Sequence, residues 1–252
     1  MSRTCWFDLA AIVLTIAVLA GLGFALRQQH TPTITVAPSA AHVDRPQPPA
    51  KTLPSALIIG DAYASGSGLA EMSYGCMAAA KMGWLCDVSV QPGTGYISGG
   101  VANRFVLEYM GPSTSFAERL PGLAAMYDPD VVILDGGRND HLAPPDAVFD
   151  VMSATIADVR QMWQRARIVF IRPRVLARPD DDLGFDDEFI ARLQAEPAAQ
   201  DLVVIDPISR FTATDTSTLL SDNGTHPNQQ GEAALSSALV DSLLEQGFAS
   251  IT

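Results

Sequence analysis

Between residues 55 and 246, five short apolar runs alternate with longer stretches of helical spacing, and this alternation limits the possible folds more than any other feature of the chain. The runs are ALII (56–59), LCDVSV (85–90), VVIL (131–134), RIVFI (167–171) and LVVI (202–205). Four of the five are short and rich in β-branched residues, as strands buried on both faces of a parallel sheet are. Residues 145–165 place Val148, Met152, Ile156, Val159 and Trp163 at steps of three or four, and residues 228–246 do the same with Ala233, Leu235, Leu239, Leu243 and Leu244. Strand and helix in series predict one α/β domain over 55–252: a three-layer α/β/α sandwich of the flavodoxin-like kind, with a five-stranded parallel sheet. Ligands of such sheets bind beyond the carboxyl ends of the strands.

The first 54 residues read differently. Residues 1–8 form a short leading segment, and 9–26 (LAAIVLTIAVLAGLGFAL) carry no charge over eighteen positions. At ~1.5 Å per residue this run reaches roughly 27 Å, near the thickness of a bilayer core. An uncleaved transmembrane anchor is the expectation, because the run exceeds the h-region of roughly 7–15 residues typical of a signal peptide. A cleaved signal, with Gly23 and Ala25 as a small-x-small site and secretion as the outcome, is the alternative. Cys5 precedes the run and is not placed like a lipoprotein cysteine. Residues 27–54 hold six prolines and almost no large apolar side chain, which predicts an extended linker; His30 and His42 fall within it.

A net charge of −12 argues against nucleic acid or an anionic membrane surface as partner, since both repel an acidic protein. Cys76 and Cys86 have no neighbouring histidine or cysteine to complete a metal site. A disulfide in an oxidising compartment fits the pair, two small buried residues being the plainer alternative. A domain outside the cytoplasmic membrane follows from the disulfide reading, and no metal or other cofactor is expected.

The loops just past the strand ends hold the chemistry-bearing residues. They are GDAYASG from Gly60, QPGTGY from Gln91, DGGRND from Asp135, and SDNGTHPN from Ser221, before the last helix. The first reads as a tight turn that opens a helix. In this order they resemble the four sequence blocks of the SGNH (GDSL-type) hydrolases: Gly60-Asp61-Ala62 for G-D-S, Gly95 in GTGY for the glycine block, Gly137-Arg138-Asn139-Asp140 for G-x-N-D, and Asn223-Gly224-Thr225-His226-Pro227 for D-x-x-H-P. The GTGY and GGRND forms are especially similar to actinobacterial members, which commonly carry membrane anchors or export signals.

The resemblance implies ester hydrolysis or acyl transfer through a serine acyl-enzyme, with the last-block histidine as base. The implied oxyanion donors are the amide of residue 62, the amide of Gly95 and the side chain of Asn139, each typically worth roughly 3–4 kcal/mol. Two positions depart. Ala62 stands where the family has its serine, and a methyl group cannot be acylated. Asn223 stands three before His226 where the family has aspartate, and an amide supplies no charge to stabilise imidazolium. Asp222, one residue earlier, could serve after a local slip of the loop. Two departures in one catalytic chain read as natural loss of catalysis rather than a single designed substitution. The expectation is an impaired esterase-like domain that binds an acyl ester, an O-acylated carbohydrate or lipid, or a protein partner of the cell envelope. The alternative is an active esterase or acyl transferase using another nucleophile or a water activated by His226. Ser65 lies one helical turn beyond the elbow, so its side chain is expected to point elsewhere.

Plainer readings go to the remaining polar residues. Tyr63 lines the pocket or packs on the helix; His141 sits at the pocket rim or in solvent. Asp140 and Asp61 each anchor their own turn. Arg172 and Arg174 meet an anionic group of the substrate or, more simply, pair with Asp180–Asp182.

Overall fold

The structure is a computed structural model that describes residues 53–66 and 69–251. The leading segment, the apolar run 9–26 and nearly all of the linker lie outside the described residues, as do Cys5, His30 and His42. Among the described residues no helix is long and apolar enough to cross a membrane.

In chain order the elements are β1 (Ser55–Gly60), α1 (Tyr74–Lys81), β2 (Leu85–Val90), β3 (Val106–Leu107), β4 (Gly111–Pro112), α2 (Phe116–Met126), β5 (Val131–Asp135), α3 (Pro145–Met162), β6 (Arg167–Ile171), α4 (Asp187–Gln194), β7 (Val203–Ile205) and α5 (Gln229–Glu245). Five strands form one sheet in the order β2-β1-β5-β6-β7, and every pair in it is parallel. β3 and β4 form a separate antiparallel hairpin. The apolar runs read from the sequence are therefore the strands of the sheet, with ends shifted by one residue at most. Alternating side chains of β1, β5, β6 and β7 feed two cores. Leu57, Ile59, Val132, Leu134, Ile168 and Phe170 pack on one face under α2, α3 and α4. Ile58, Ile133, Val169, Ile171 and Ile205 pack on the other under α1 and α5. This is the three-layer α/β/α arrangement.

The Cys76–Cys86 disulfide forms, joining α1 to the edge strand β2 with the two Cα atoms 5.4 Å apart. The elbow differs from the expectation. It opens a three-residue 3-10 turn, Ala62–Ala64, and among the described residues the next α-helix begins at Tyr74. Gly66, at φ +70°, stands where a helix would have to continue.

Arg172 and Arg174 also correct the reading. Arg172 pairs with Asp187 at 2.7 Å, and Arg174 with Asp206 at 2.7 Å. The acidic run is engaged nearer home: Asp181 accepts from Leu183 N, Asp182 accepts from Gly184 N, and Arg178 pairs with Asp181. Their own turn takes these carboxylates.

Candidate active site

Asp61 follows the last residue of β1 and caps the elbow: its Oδ1 accepts from Tyr63 N at 2.8 Å. Ala62 opens the 3-10 turn, where a first amide has no partner within the helix. The loop after β5 brings Asn139 against this elbow, its Nδ2 donating to Asp61 Oδ2 at 3.2 Å and to Thr94 O at 2.8 Å. Gly137 makes that approach possible. Its φ is +112°, and an added Cβ would lie 2.8 Å from Pro173 Cγ.

Asp140 does not anchor its own turn. Wholly buried, it accepts from Tyr96 N, Ile97 N and Ser98 N of the loop after β2, and so ties two site loops together. That explains Gly95, since an added Cβ there would stand 2.3 Å from Asp140 Oδ2. The Gly95 amide donates to Ser98 O at 2.9 Å. Of the three implied oxyanion donors, the Gly95 amide and both Asn139 Nδ2 hydrogens thus have acceptors inside the protein. The amide of Ala62 has no acceptor among the described residues.

His226 arrives on the loop before α5. Backbone bonds close that loop, with Ser221 N donating to His226 O and Asn228 N donating to Leu219 O, both at 2.9 Å. Asn228 then caps α5 through Gln230 N and Gly231 N. The ring of His226 lies 5.7 Å from that of Tyr63, whose hydroxyl accepts from Leu176 N.

Asn223 decides the state of this imidazole. Its Oδ1 accepts from Thr225 N at 2.8 Å and from His226 N at 3.0 Å. Reversing the amide would set its NH₂ against two N–H groups, so the orientation is fixed. Nδ2 then faces His226 Nδ1 at 3.1 Å. Because Nδ2 can only donate, Nδ1 must offer its lone pair, and the proton of the neutral ring sits on Nε2. Burial, and then the Arg138 charge, hold the His226 pKa below its ordinary value. Asp222 is exposed and is not a hydrogen-bond partner of the ring.

Residues that the sequence reading did not single out lie beneath. Arg138 is 7% exposed and stacks on the Tyr63 ring at 4.3 Å. It pairs with Asp135 Oδ1 at 2.9 Å, and Asp61 Oδ1 lies at 3.7 Å. Burial opposes its charge, but Asp135 and Asp61 more than offset that and raise its pKa. Burial pushes Asp61 up to about 6 despite Arg138. Tyr74 donates its hydroxyl to Asp135 Oδ2 and its amide to Glu232 Oε2. Glu232 is 2% exposed, and burial raises its pKa to about 7. Arg138 could have been suspected from its place inside GGRND, but nothing in the pattern of α5 marks Glu232.

Two clefts meet at Ala62 and His226. The larger, about 520 Å³, runs past Arg138, Asn139, His141 and Arg178 toward an apolar side made by Val175, Ala177 and Leu183. The smaller, about 300 Å³, is lined by Ser65, Ser221, Asn223 and Glu232. Ser65 Oγ donates to Ala62 O at 2.6 Å, so its proton is turned to the backbone. His141 stands at the rim of the larger cleft, with Nδ1 2.6 Å from Arg138 O.

A parallel five-stranded sheet with its cleft at the strand carboxyl ends is the architecture of a class of esterases. The chain belongs to the GDSL-like lipase/acylhydrolase family, whose profile matches residues 58–234. Solved structures share the fold. A family two carbohydrate esterase from Clostridium thermocellum, an active-site mutant, superposes with a TM-score of 0.60 at 17% identity, over 78% of this chain and 65% of the other. The psychrotrophic esterase EstA from Pseudoalteromonas sp. gives 0.57 at 17% identity, over 76% and 97%. A family 2 carbohydrate esterase from Corynascus thermopiles gives 0.56 at 19% identity, over 80% and 69%. The chain thus spans about two thirds of the length of the first and third of these. No curated protein sequence matches it significantly.

Proposed function

We propose that this domain holds an acylated ligand without cleaving it. Ala62 occupies the nucleophile position and offers a methyl group, so no acyl-enzyme can form there. His226 occupies the base position, but with the proton on Nε2 it has no lone pair to turn toward an attacking group. The observation that carries this reading is the donation from Asn223 Nδ2 to His226 Nδ1. In serine proteases, an asparagine in place of the orienting aspartate lowers the rate about 10⁴-fold through the same wrong tautomer.

The GDSL-like lipase/acylhydrolase family supports an acyl ester or O-acylated lipid as ligand, and the carbohydrate esterases sharing the fold support an O-acylated carbohydrate. The disulfide supports a place outside the cytoplasm, with the apolar run 9–26 as the membrane anchor and an envelope protein as a client of the same domain. Release of nitrophenolate from 4-nitrophenyl acetate tests the reading: the full chain should turn over no faster than its His226→Ala variant. Turnover that His226→Ala abolishes would overturn it, and would favour an active esterase or acyl transferase working through a water or another nucleophile.

A further inference from the structure

The larger cleft presents several donors and cations to a ligand. Ala62, whose amide opens the 3-10 turn, and His226, whose Nε2 carries the proton and has no partner among the described residues, both line it. Along its wall are Arg178 and, behind Tyr63, the buried guanidinium of Arg138, while His141 at the rim donates from Nδ1 to Arg138 O and keeps a lone pair on Nε2. The terminal nitrogens of Arg138 have no aligned hydrogen-bond acceptor. Its contact with Asp135 is an ion pair out of hydrogen-bond alignment. The carboxylate among the described lining residues is Asp61, and both its oxygens are occupied, by Tyr63 N and by Asn139 Nδ2. A second carboxylate, Glu232, lines the smaller cleft, on the other side of Ala62 and His226. In a chain of net charge −12, a cleft with this lining is set apart from the rest of the molecule.

A working esterase needs an acceptor at Nε2, to take the proton of its nucleophile. Here the Asn223 amide makes Nε2 a donor, and the residue that would have needed the acceptor is a methyl group. Both changes act in the same direction. They convert a site that removes a proton into one that gives hydrogen bonds to whatever lies between Ala62 and His226. A neutral ester carbonyl accepts such bonds weakly. A carboxylate accepts several at once, and charge-assisted hydrogen bonds are about twice as strong as neutral ones. Val175, Ala177 and Leu183 then provide the apolar side for an alkyl chain.

We propose that the ligand of the larger cleft is a free carboxylate, a short-chain alkanoate anion held between the Ala62 amide and His226 Nε2–H with its chain along Val175, Ala177 and Leu183. This rests on the reading of the site as non-cleaving and replaces the acyl ester of that reading with the free acid.

Calorimetric titration of the full chain in a non-ionic detergent at pH 9, where the His226 ring is neutral, tests it with sodium butanoate and methyl butanoate as separate probes. Butanoate should bind, and methyl butanoate should bind about tenfold more weakly or worse, as expected when the charged partner of a hydrogen bond is lost. Asn223→Asp moves the ring proton to Nδ1 and turns a lone pair on Nε2 toward the anion, so butanoate should again weaken by at least about tenfold. The ¹⁵N shifts of the His226 ring show which nitrogen carries the proton in each protein. Methyl butanoate binding as tightly as butanoate would overturn the carboxylate inference and leave acyl binding standing. Unchanged butanoate affinity in Asn223→Asp, with the ring proton shown to have moved, would overturn the role given to Nε2. If neither probe binds, both this inference and the acyl-ligand reading fall.

Discussion

Glu232 allows a quantitative test of how the site is buried. Its carboxyl sits between α5 and the first turn of α1, accepts from Tyr74 N, and lines the smaller cleft. Burial raises its pKa from 4.5 to about 7. The folded-state value is raised, so the stabilisation linked to the protonated form is fully present below pH 4.5 and is lost as pH rises through about 7. At 1.36 kcal/mol per pH unit the rise amounts to about 3 kcal/mol, and solvent in the adjoining cleft reduces this to about 2 kcal/mol. Glu232→Gln keeps the volume and the acceptor for Tyr74 N but removes the ionisation. Relative to the native chain it should therefore gain about 2 kcal/mol at pH 8.5, seen as a Tm higher by about 4–8 °C for a domain of this size. At pH 4 the two proteins should melt together. Thermal melts followed by circular dichroism at both values measure this. A Tm for Glu232→Gln that is lower at pH 8.5, or a difference that does not change with pH, would refute the reasoning.

Two further outcomes concern the frame of the site. Replacing Cys76 and Cys86 together by alanine opens a loop with a sequence separation of 10, and should destabilise the domain by about 3 kcal/mol in chemical denaturation; in the native, non-reduced chain neither thiol should react with a thiol reagent. Gly95→Ala drives a methyl group to within 2.3 Å of Asp140 Oδ2, so either the Asp140 carboxylate or the 96–98 amides must withdraw. Loss of those buried hydrogen bonds should cost about 2 kcal/mol or more, visible in the same denaturation curves, whereas Gly122→Ala, where nothing lies within 4 Å of the added Cβ, serves as the tolerant control.

The strands β1, β5 and β6 were legible because residues buried on both faces leave near-continuous apolar runs, and they begin and end within a residue of ALII, VVIL and RIVFI. The helices α3 and α5 were legible through their spacing. Local pattern failed where a side chain's partner is distant in sequence. Local pattern places Asp140 in its own turn, but its oxygens accept from amides more than 40 positions earlier. Arg174 finds Asp206, 32 positions on, and not the acidic run beside it. The elbow looked like a helix start because its polar and small residues suit one, but Gly66 adopts a positive φ and the turn ends there. Ala62, Asn223 and His226 could be picked out by their order along the chain. The direction of the Asn223 amide could not, because it is fixed by the Thr225 and His226 amides once the loop has closed.

That direction is the central claim, and a pre-steady-state burst reads it directly. Ala62→Ser restores a nucleophile but leaves Nε2 protonated; Ala62→Ser with Asn223→Asp also gives Nδ1 a carboxylate to donate to, freeing the Nε2 lone pair to accept the serine proton. With 4-nitrophenyl acetate, the double variant should release its first equivalent of nitrophenolate about 10⁴-fold faster than Ala62→Ser alone, the factor that the wrong tautomer costs in serine proteases. Equal burst rates in the two variants would contradict the account, because they would mean that Asn223 does not govern the state of His226.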